Sequence, residues 1–404
     1  MVRTRGASGD TRRVRYTYRL RMSPVAQDRL LAEWDRCRWV WNACVSASRA
    51  AHHAGVQCGP AALDKRLTGW RAEHGWLGSG ASVPQQQAVR DFAKSRAKAL
   101  KDVKAGTPFS RRTGMPRFKK KALAAPTLNY TGRAFRIRDA RLHLVGGIVV
   151  RPVWSRDLPA APTSVRVYRD GLGHWYASFV LSTRVEPLPA TGRVIGVDWG
   201  VAAVATTTSD DHDLAHAEHG KSAAQKLARY QRMMARRKPK RGHAASSGYR
   251  HAKRQAAKVY RKVSRRRQDT ARVWAKRVVR DHDALAVEDF RPRFLAKSSM
   301  ARKAADAAIA TTKAELVMMA RKHARVLHLV APAHTTMDCG RCGARAKHAL
   351  PLSERIYTCT TCGFVSPRDK NSARGMLVRA GLYPVGADDV RPARPPGAQA
   401  VRAG

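Results

Sequence analysis

The chain has 404 residues, 44% of them apolar, which suffices for two to four domains at roughly 100–200 residues each. It carries 78 Lys and Arg against 29 Asp and Glu, a formal charge of +49. Self-repulsion at that charge opposes compaction, so a polyanion that neutralises it is the economical partner, and nucleic acid is the obvious one. Membrane partners are disfavoured: no apolar run reaches the roughly 18 residues of a transmembrane helix, and the start, MVRTRGASGDTRRVRYTYRL, lacks a signal-peptide core. A soluble, cytoplasmic protein is expected, associated with the nucleoid when bound to DNA.

In chain order, residues 1–13 and 384–404 are rich in Arg, Gly, Pro and Ala without periodicity and read as disordered tails. Residues 14–22 alternate apolar and basic side chains, the pattern of a strand. Ser23-Pro24 is a helix start, and 25–54 has helical spacing at Leu30, Trp34, Cys37, Val40/Trp41 and Cys44. A second helix is expected over 84–103. Gly and Pro punctuate 104–126, and a β-rich region then runs to 182 through AFRIRD, RLHLVGGIVV, SVRVYRD and HWYASFVL. From 193 onward, strands alternate with long helices, the α/β pattern.

Segment 226–277 holds 20 Lys or Arg and a single acid, Asp269. Ala256, Val259, Val263, Ala271, Trp274 and Val278 keep helical spacing, so an amphipathic helix is expected, with Trp274 and Tyr260 on the packed stripe. Its basic face carries Arg254, Lys258, Arg261, Lys262, Arg265, Arg266 and Arg267. With no acids nearby to pair them, these side chains are expected to contact phosphates.

Of seven cysteines, Cys37, Cys44 and Cys58 are scattered and read as free, partly buried thiols. The other four form Cys339-x2-Cys342, sixteen intervening residues, then Cys359-x2-Cys362. Two such knuckles, turned at Gly340, Gly343 and Gly363, supply the four soft ligands of a closed, structural Zn²⁺ site, a better fit than a redox dithiol pair.

Three acids stand out where negative charge is scarce. Asp198 ends the apolar run Val194–Val197, Glu288 ends Ala284–Val287 with Asp289 beside it, and Asp369 precedes a helical stretch. Singly, each reads as a turn or first-turn acid. Together, oxygen ligands from three elements are the donor set for two Mg²⁺ about 4 Å apart, which cleave phosphodiesters by activating water and stabilising the leaving oxygen.

These residues resemble the TnpB (OrfB) family, transposon-encoded RNA-guided endonucleases related to the type V CRISPR effectors. GVDWG at 196–200, VEDF at 287–290 and RDKNSA at 368–373 match the three RuvC motifs in order. The CxxC pairs fall between the second and third motifs. YRLRMSP, the pair Trp41-Asn42 and PRFKKK at 116–121 extend the similarity over about 14–382. The resemblance implies catalysis by Asp198, Glu288 and Asp369. It implies a multidomain α/β plus β-barrel architecture: a wedge β-barrel from 14–23 and 110–188, a helical recognition domain at 24–109, an RNase H-like (RuvC) nuclease from 190–335 and 364–383, and a zinc ribbon at 336–363. It also implies guide RNA and double-stranded target DNA as partners, with Lys119, Lys120 and Lys121 among the nucleic-acid contacts. The chain departs from the family pattern at Ser366-Pro367 and Ser372, and in an Ala-rich helix at about 301–323 that lacks aromatics. An inactive RNA-guided DNA-binding regulator, a compact type V effector and a DDE-like transposase stay open as alternatives, and the oligomeric state is left open.

Overall fold

Alternation of Tyr16, Tyr18 and Leu20 with basic neighbours makes β1 (Thr11–Arg21) a strand with one buried face. The computed structural model describes residues 11–240, 242–290, 298–348, 350–351 and 353–382, and contacts divide the chain into two units after Arg184. Residues 11–13, expected in the leading tail, open β1 instead; the remaining tail segments, 1–10 and 384–404, lie outside the described residues.

In the first unit, β1 is followed by α1 (Pro24–His53), α2 (Pro60–Glu73), α3 (Gly75–Gly78) and α4 (Ser82–Lys104). The Ser23 hydroxyl accepts from the Ala26 amide at 3.2 Å, the cap that starts α1. α2 and α3 were not among the expected helices. The sheet is completed by β2 (Thr127–Thr131), β3 (Phe135–Arg138), β4 (Arg141–Leu144), β5 (Ile148–Pro152), β6 (Ser164–Arg169) and β7 (Trp175–Arg184). The stretch 141–150, legible only as one β-rich run, is the β4–β5 hairpin, turned at Gly146 and Gly147, whose φ values are +86° and +66°.

The seven strands run β2-β6-β7-β1-β5-β4-β3. Strand β1 pairs with β7 over Thr11–Arg19 and with β5 at Leu20 and Arg21, so it joins both halves. The two edge strands, β2 and β3, are consecutive in the chain and linked by the short turn Gly132–Ala134. The sheet therefore curls until it is nearly closed, around one core that holds Tyr18, Tyr130, Leu142, Ile148, Val167 and Phe179. Leu30, Trp34 and Cys37 of α1 join that core, while its later residues Val40, Trp41 and Cys44 pack with α2 and α4. Helices and barrel-like sheet thus share α1 as a common structural member.

The second unit has a five-stranded sheet in the order β10-β9-β8-β11-β12, from β8 (Val194–Trp199), β9 (Ala203–Thr207), β10 (Leu214–Ala215), β11 (Ala284–Glu288) and β12 (Val326–Val330). The first three form an antiparallel meander; β8, β11 and β12 are parallel. Parallel pairing needs crossovers. These are α5 (Ala224–Arg236) with α6 (Ser247–Asp281), then α7 (Ala301–Ala307) with α8 (Ile309–Lys322). The basic segment is thus two helices rather than one. Pro239 and Gly242 (φ +87°) interrupt it, and the Ser246 hydroxyl restarts it by accepting from the Tyr249 amide at 3.1 Å. The Ala-rich helix is likewise split at Ala308, which adopts a left-handed conformation. α6 and α8 cover one face of the sheet and α9 (Arg368–Arg379) the other. A two-stranded ribbon, β13 (Ile356–Thr358) and β14 (Val365–Pro367), precedes α9. Among the described residues, no helix is long and apolar enough to cross a membrane.

Candidate functional site

Strand alternation decides where the acids go. Ile195, Val197 and Trp199 enter the core beneath α6 and α8, so Gly196 and Asp198 face the α9 layer. On β11, Leu285 and Val287 join the same α6/α8 core, while Ala286 packs with Met376 and Leu377 of α9; Glu288 shares the face of Ala286. The two strands are parallel with Val287 beside Val197, so Glu288 follows next to Asp198 at the carboxyl ends of both strands. Open α/β sheets bind their ligands at that edge.

Gly196 brings in the third acid. A Cβ at this position would meet the Ala373 carbonyl oxygen at 1.9 Å, so only glycine lets α9 lie this close to β8. Asp369 is one turn before Ala373 on the same helix face, and Asp198 is two residues beyond Gly196 on the same strand face. The close approach therefore turns Asp369 toward Asp198. In sequence GVDWG stands out for its aspartate; the glycine at 196 is what allows α9 to dock.

The electrostatics agree. Burial, then the charges of Glu288 and Asp369, hold the Asp198 carboxyl well above the usual carboxylate range, against the pull of the Trp199 amide and Arg368. Burial likewise pushes Glu288 up to about 7, opposed by the same Trp199 amide and by Lys313 and Arg379. Both carboxyls are thus lowered by the same Trp199 main chain, at the ends of β8 and β11. The Trp199 indole further ties the strands together, donating to the Glu288 carbonyl at 3.0 Å. Asp289 is committed elsewhere: it is ion-paired with Lys313, and its amide donates to the Val330 carbonyl at 2.7 Å. Lys370 anchors the start of α9 to the end of β9 through the Thr207 carbonyl at 2.9 Å and Asp213 at 2.9 Å.

The four ribbon cysteines converge with all sulfurs within 4.8 Å of one another, Cys339 to Cys362 at 3.8 Å and Cys342 to Cys359 at 3.7 Å. Sulfurs at the corners of a tetrahedron with arms of about 2.3 Å lie about 3.8 Å apart, so spacing and donor type fit a zinc ion. The two knuckles are built alike. The Cys339 and Cys359 amides donate to the Ala344 and Phe364 carbonyls, and Gly343 and Gly363 turn back at φ +75° and +69°. Gly340 has a different task. Its amide donates to Asn371 Oδ1 at 2.7 Å, Asn371 Nδ2 donates to the Asp338 carbonyl at 2.9 Å, and Asn371 is fully buried. Asp338 is in turn paired with Arg345 and Arg379. The first knuckle is thereby fastened to α9 two residues from Asp369, a joint invisible in the sequence, where Asn371 reads only as part of a motif. Cys37, Cys44 and Cys58 are free and buried.

The expected nucleic-acid contacts separate by environment. Arg254, Lys258, Lys262, Arg265 and Arg266 are exposed along α6, and Arg261 is half-buried. Arg267 is bound to the buried Asp306 at 2.8 Å, so it braces α6 against the α7 region. Trp274 is core, with its indole donating to the His212 carbonyl at 2.7 Å, but Tyr260, expected beside it, is 54% exposed and accepts from Gln231. Lys120 is exposed, Lys121 pairs with Asp35 at 2.8 Å, and the Lys119 ammonium lies 3.6 Å from the centre of the Trp41 ring. Asn42 brackets Lys119 from both sides, accepting from its amide at 2.7 Å and donating to its carbonyl at 3.3 Å. Trp41-Asn42 and PRFKKK are therefore two sides of one contact.

A strand-end cluster of carboxylates, a helix pressed onto it and a four-cysteine ribbon fastened to that helix define a multidomain α/β protein with a metal-fit centre beside an acidic one. The family model OrfB_IS605, "Probable transposase", matches residues 177–299, and the "Cas12f1-like, TNB domain" model matches 312–376. A Streptomyces pristinaespiralis protein described as "Putative RNA-guided DNA endonuclease" is 30% identical over 335 residues, covering 81% of this chain and 79% of that protein. Escherichia coli "Putative RNA-guided DNA endonuclease InsQ" is 25% identical over 361 residues, covering 84% and 86%. The Cas12f1 chain of a Cas12f1–sgRNA–target DNA complex shares the fold, with a TM-score of 0.53 at 11% identity over 91% of this chain and 98% of that one. The chain belongs to the OrfB (TnpB) family.

Proposed function

We propose that the protein is an RNA-guided DNA endonuclease of RuvC type, with Asp198, Glu288 and Asp369 as its catalytic carboxylates. The observation that carries this is the seating of α9 on Gly196, which aims an acid from a third element at two acids already adjacent on parallel strands. Three oxygen donors whose negative charges oppose one another fit Mg²⁺, a hard cation that relieves the repulsion. When bound, two such ions supply an activated water and stabilise the leaving oxygen of a phosphodiester. The chain's own part is to hold the donors: the Trp199 amide serves two of them, and Arg368, Lys313 and Arg379 temper their charge. The five-strand order with α9 across it supports an RNase H-like domain over 190–335 and 364–383, interrupted by a zinc ribbon at 336–363. The nearly closed sheet supports a wedge from 14–23 and 110–188, with helices at 24–109 for recognition. Guide RNA and double-stranded target DNA are the partners this reading assigns, with base pairing reading the target and basic surfaces holding the backbone.

The test is cleavage of a plasmid by protein loaded with its co-purifying RNA. Asp198→Ala, Glu288→Ala and Asp369→Ala should each abolish cutting while RNA binding persists. Asp289→Ala should be much milder. Cutting at the wild-type rate by any of the three would remove that residue from the centre.

A further inference from the structure

The first turn of α9 carries Asp369 but lacks the usual means of holding a helix start. Its N-cap position is Pro367, and no side chain caps the free amides. An uncapped first turn frays, which would leave the Asp369 carboxylate without a fixed place. The residues on either side of Asp369 are tied down instead. Arg368 donates to the Arg355 carbonyl through its amide and to the Pro351 carbonyl through Nη1, each at 2.8 Å. Asn371 is tied to Gly340. Lys370 reaches the other way, to the sheet.

The Lys370 ammonium meets three acceptors: the Thr207 carbonyl at 2.9 Å, Asp213 Oδ2 at 2.9 Å and Asp210 Oδ1 at 2.5 Å. An ammonium has three N–H donors, so this set uses all of them and leaves none for a substrate phosphate. The surface that receives it is held in its own right. Asp213 Oδ1 accepts from the Thr207 amide at 2.7 Å, which folds the turn 208–213 back onto the end of β9. His212 in that turn lies between Ser209 Oγ and Asp281 Oδ2, each at 3.0 Å, and its carbonyl accepts from the Trp274 indole at 2.7 Å. Trp274 and Asp281 belong to α6, so the turn is fixed to the helix layer on the face of the sheet opposite α9. Thr207 pairs with Val197, the residue before Asp198. Lys370 thus ties the turn that carries Asp369 to the strand neighbouring Asp198.

We propose that Lys370 is a positioning residue for Asp369, with the turn 208–213 as its clamp: the lysine sets how the first turn of α9 stands against the end of β9, and so where the third carboxylate lies. The inference rests on the reading of Asp369 as a catalytic acid. Removing a group that orients a metal ligand typically costs about 10–100-fold in metal affinity or activity. The three contacts are not equal. Asp210 is 93% exposed, and its hydrogen bond to Lys370 holds its carboxyl below the usual range. Losing Asp210 removes one contact and leaves no buried group unpaired, whereas losing the ammonium removes all three.

The experiment compares Lys370→Met, Lys370→Arg and Asp210→Ala with the wild type, as full chains loaded with their co-purifying RNA. Plasmid cleavage is followed across a Mg²⁺ titration, and hydrogen exchange over 369–372 is measured in EDTA. Lys370→Met keeps the length of the side chain and loses every donor. It should cut about 10–100-fold more slowly at limiting Mg²⁺, regain part of the loss as Mg²⁺ rises, and exchange faster at the first turn of α9, with RNA affinity unchanged. Lys370→Arg keeps charge and donors and should recover part of the rate. Asp210→Ala alters an exposed side chain, so it should fold; it should shift the Mg²⁺ dependence the same way but less, and it decides the matter if Lys370→Met does not fold. An unshifted Mg²⁺ dependence would overturn the proposal, because the tie would then be structural only. So would a shift with wild-type exchange, which would mean that the charge acts without positioning. A parallel loss of RNA affinity would make Lys370 a nucleic-acid contact and overturn it too. Asp369→Ala is measured beside these variants. If it cuts as the wild type does, the reading of the centre fails; if it is inactive while Lys370→Met matches the wild type, only this inference fails.

Discussion

Asn371→Ala tests whether the four-cysteine ribbon holds the helix that carries Asp369. The substitution removes both ends of one joint, the acceptor for the Gly340 amide and the donor to the Asp338 carbonyl. A buried group that loses its partner costs about 1–3 kcal/mol; Gly340 is only half-buried, so the two together should cost about 2–4 kcal/mol. The four thiols are untouched, so zinc content should stay at one ion per chain. Hydrogen exchange should speed up at Gly340 and along the first turns of α9, and plasmid cleavage should fall far more than RNA binding. Gly340→Ala reaches the same joint from the other side, since its Cβ would meet the Asn371 carbonyl oxygen at 2.8 Å and Arg374 Cβ at 2.7 Å. Because both act on one contact, the double variant should lose less than the sum of the singles. Wild-type exchange at Gly340 and wild-type thermal unfolding in Asn371→Ala would refute the reasoning. So would loss of zinc, which would make Asn371 part of the metal's environment rather than a tie between ribbon and helix.

Gly196→Ala should destabilise the second unit by at least about 1–3 kcal/mol, because α9 must lift from β8; a melting temperature equal to wild type would contradict the close approach. Cys359→Ser with Cys362→Ser should release the zinc and unfold the ribbon, read by elemental analysis and by protease sensitivity within 336–363; full zinc occupancy would exclude these thiols. Glu288, raised to about 7 when folded against an ordinary 4.5, binds more protons in the folded than in the unfolded chain across that window. The metal-free protein should therefore lose stability as pH rises from about 4.5 to 7, and the gain in melting temperature on adding Mg²⁺ should be larger at pH 8 than at pH 6. Glu288→Gln should lessen both trends and leave the part carried by Asp198, whose carboxyl is raised as well; trends of undiminished size in this variant would assign them to other groups. Lys262→Gln with Arg266→Gln should weaken nucleic-acid binding without loss of stability, whereas Arg267→Gln should lower the melting temperature because the buried Asp306 loses its guanidinium and keeps only the Gly220 and Lys221 amides.

The candidate carboxylates and the cysteine cluster were legible in the sequence because their signals are local. The CxxC pairs announce a metal-fit cluster by spacing alone, and an acid that ends an apolar run is conspicuous in a chain so short of acids. Strand 14–22 and the helices at 25–54 and 84–103 were readable for the same reason, since period and capping act over a few residues. The breaks in the long helices were not, because Pro239 and Gly242 lie inside a run whose charge pattern continues unbroken across them, and Ala308 has no side-chain signal for a left-handed turn. Charge by itself also could not say which basic residues face solvent. Arg267 and Lys119 look like their neighbours in sequence, yet one is bound to Asp306 and the other lies on Trp41, because their partners come from distant segments. What only the tertiary structure decided is how the elements that carry the three acids are brought side by side. That depends on parallel register between β8 and β11, on the absence of a Cβ at Gly196, and on Asn371 tying the ribbon to α9. Each is a contact between residues far apart in the chain, and such contacts are set by packing in three dimensions rather than by the period of any one segment.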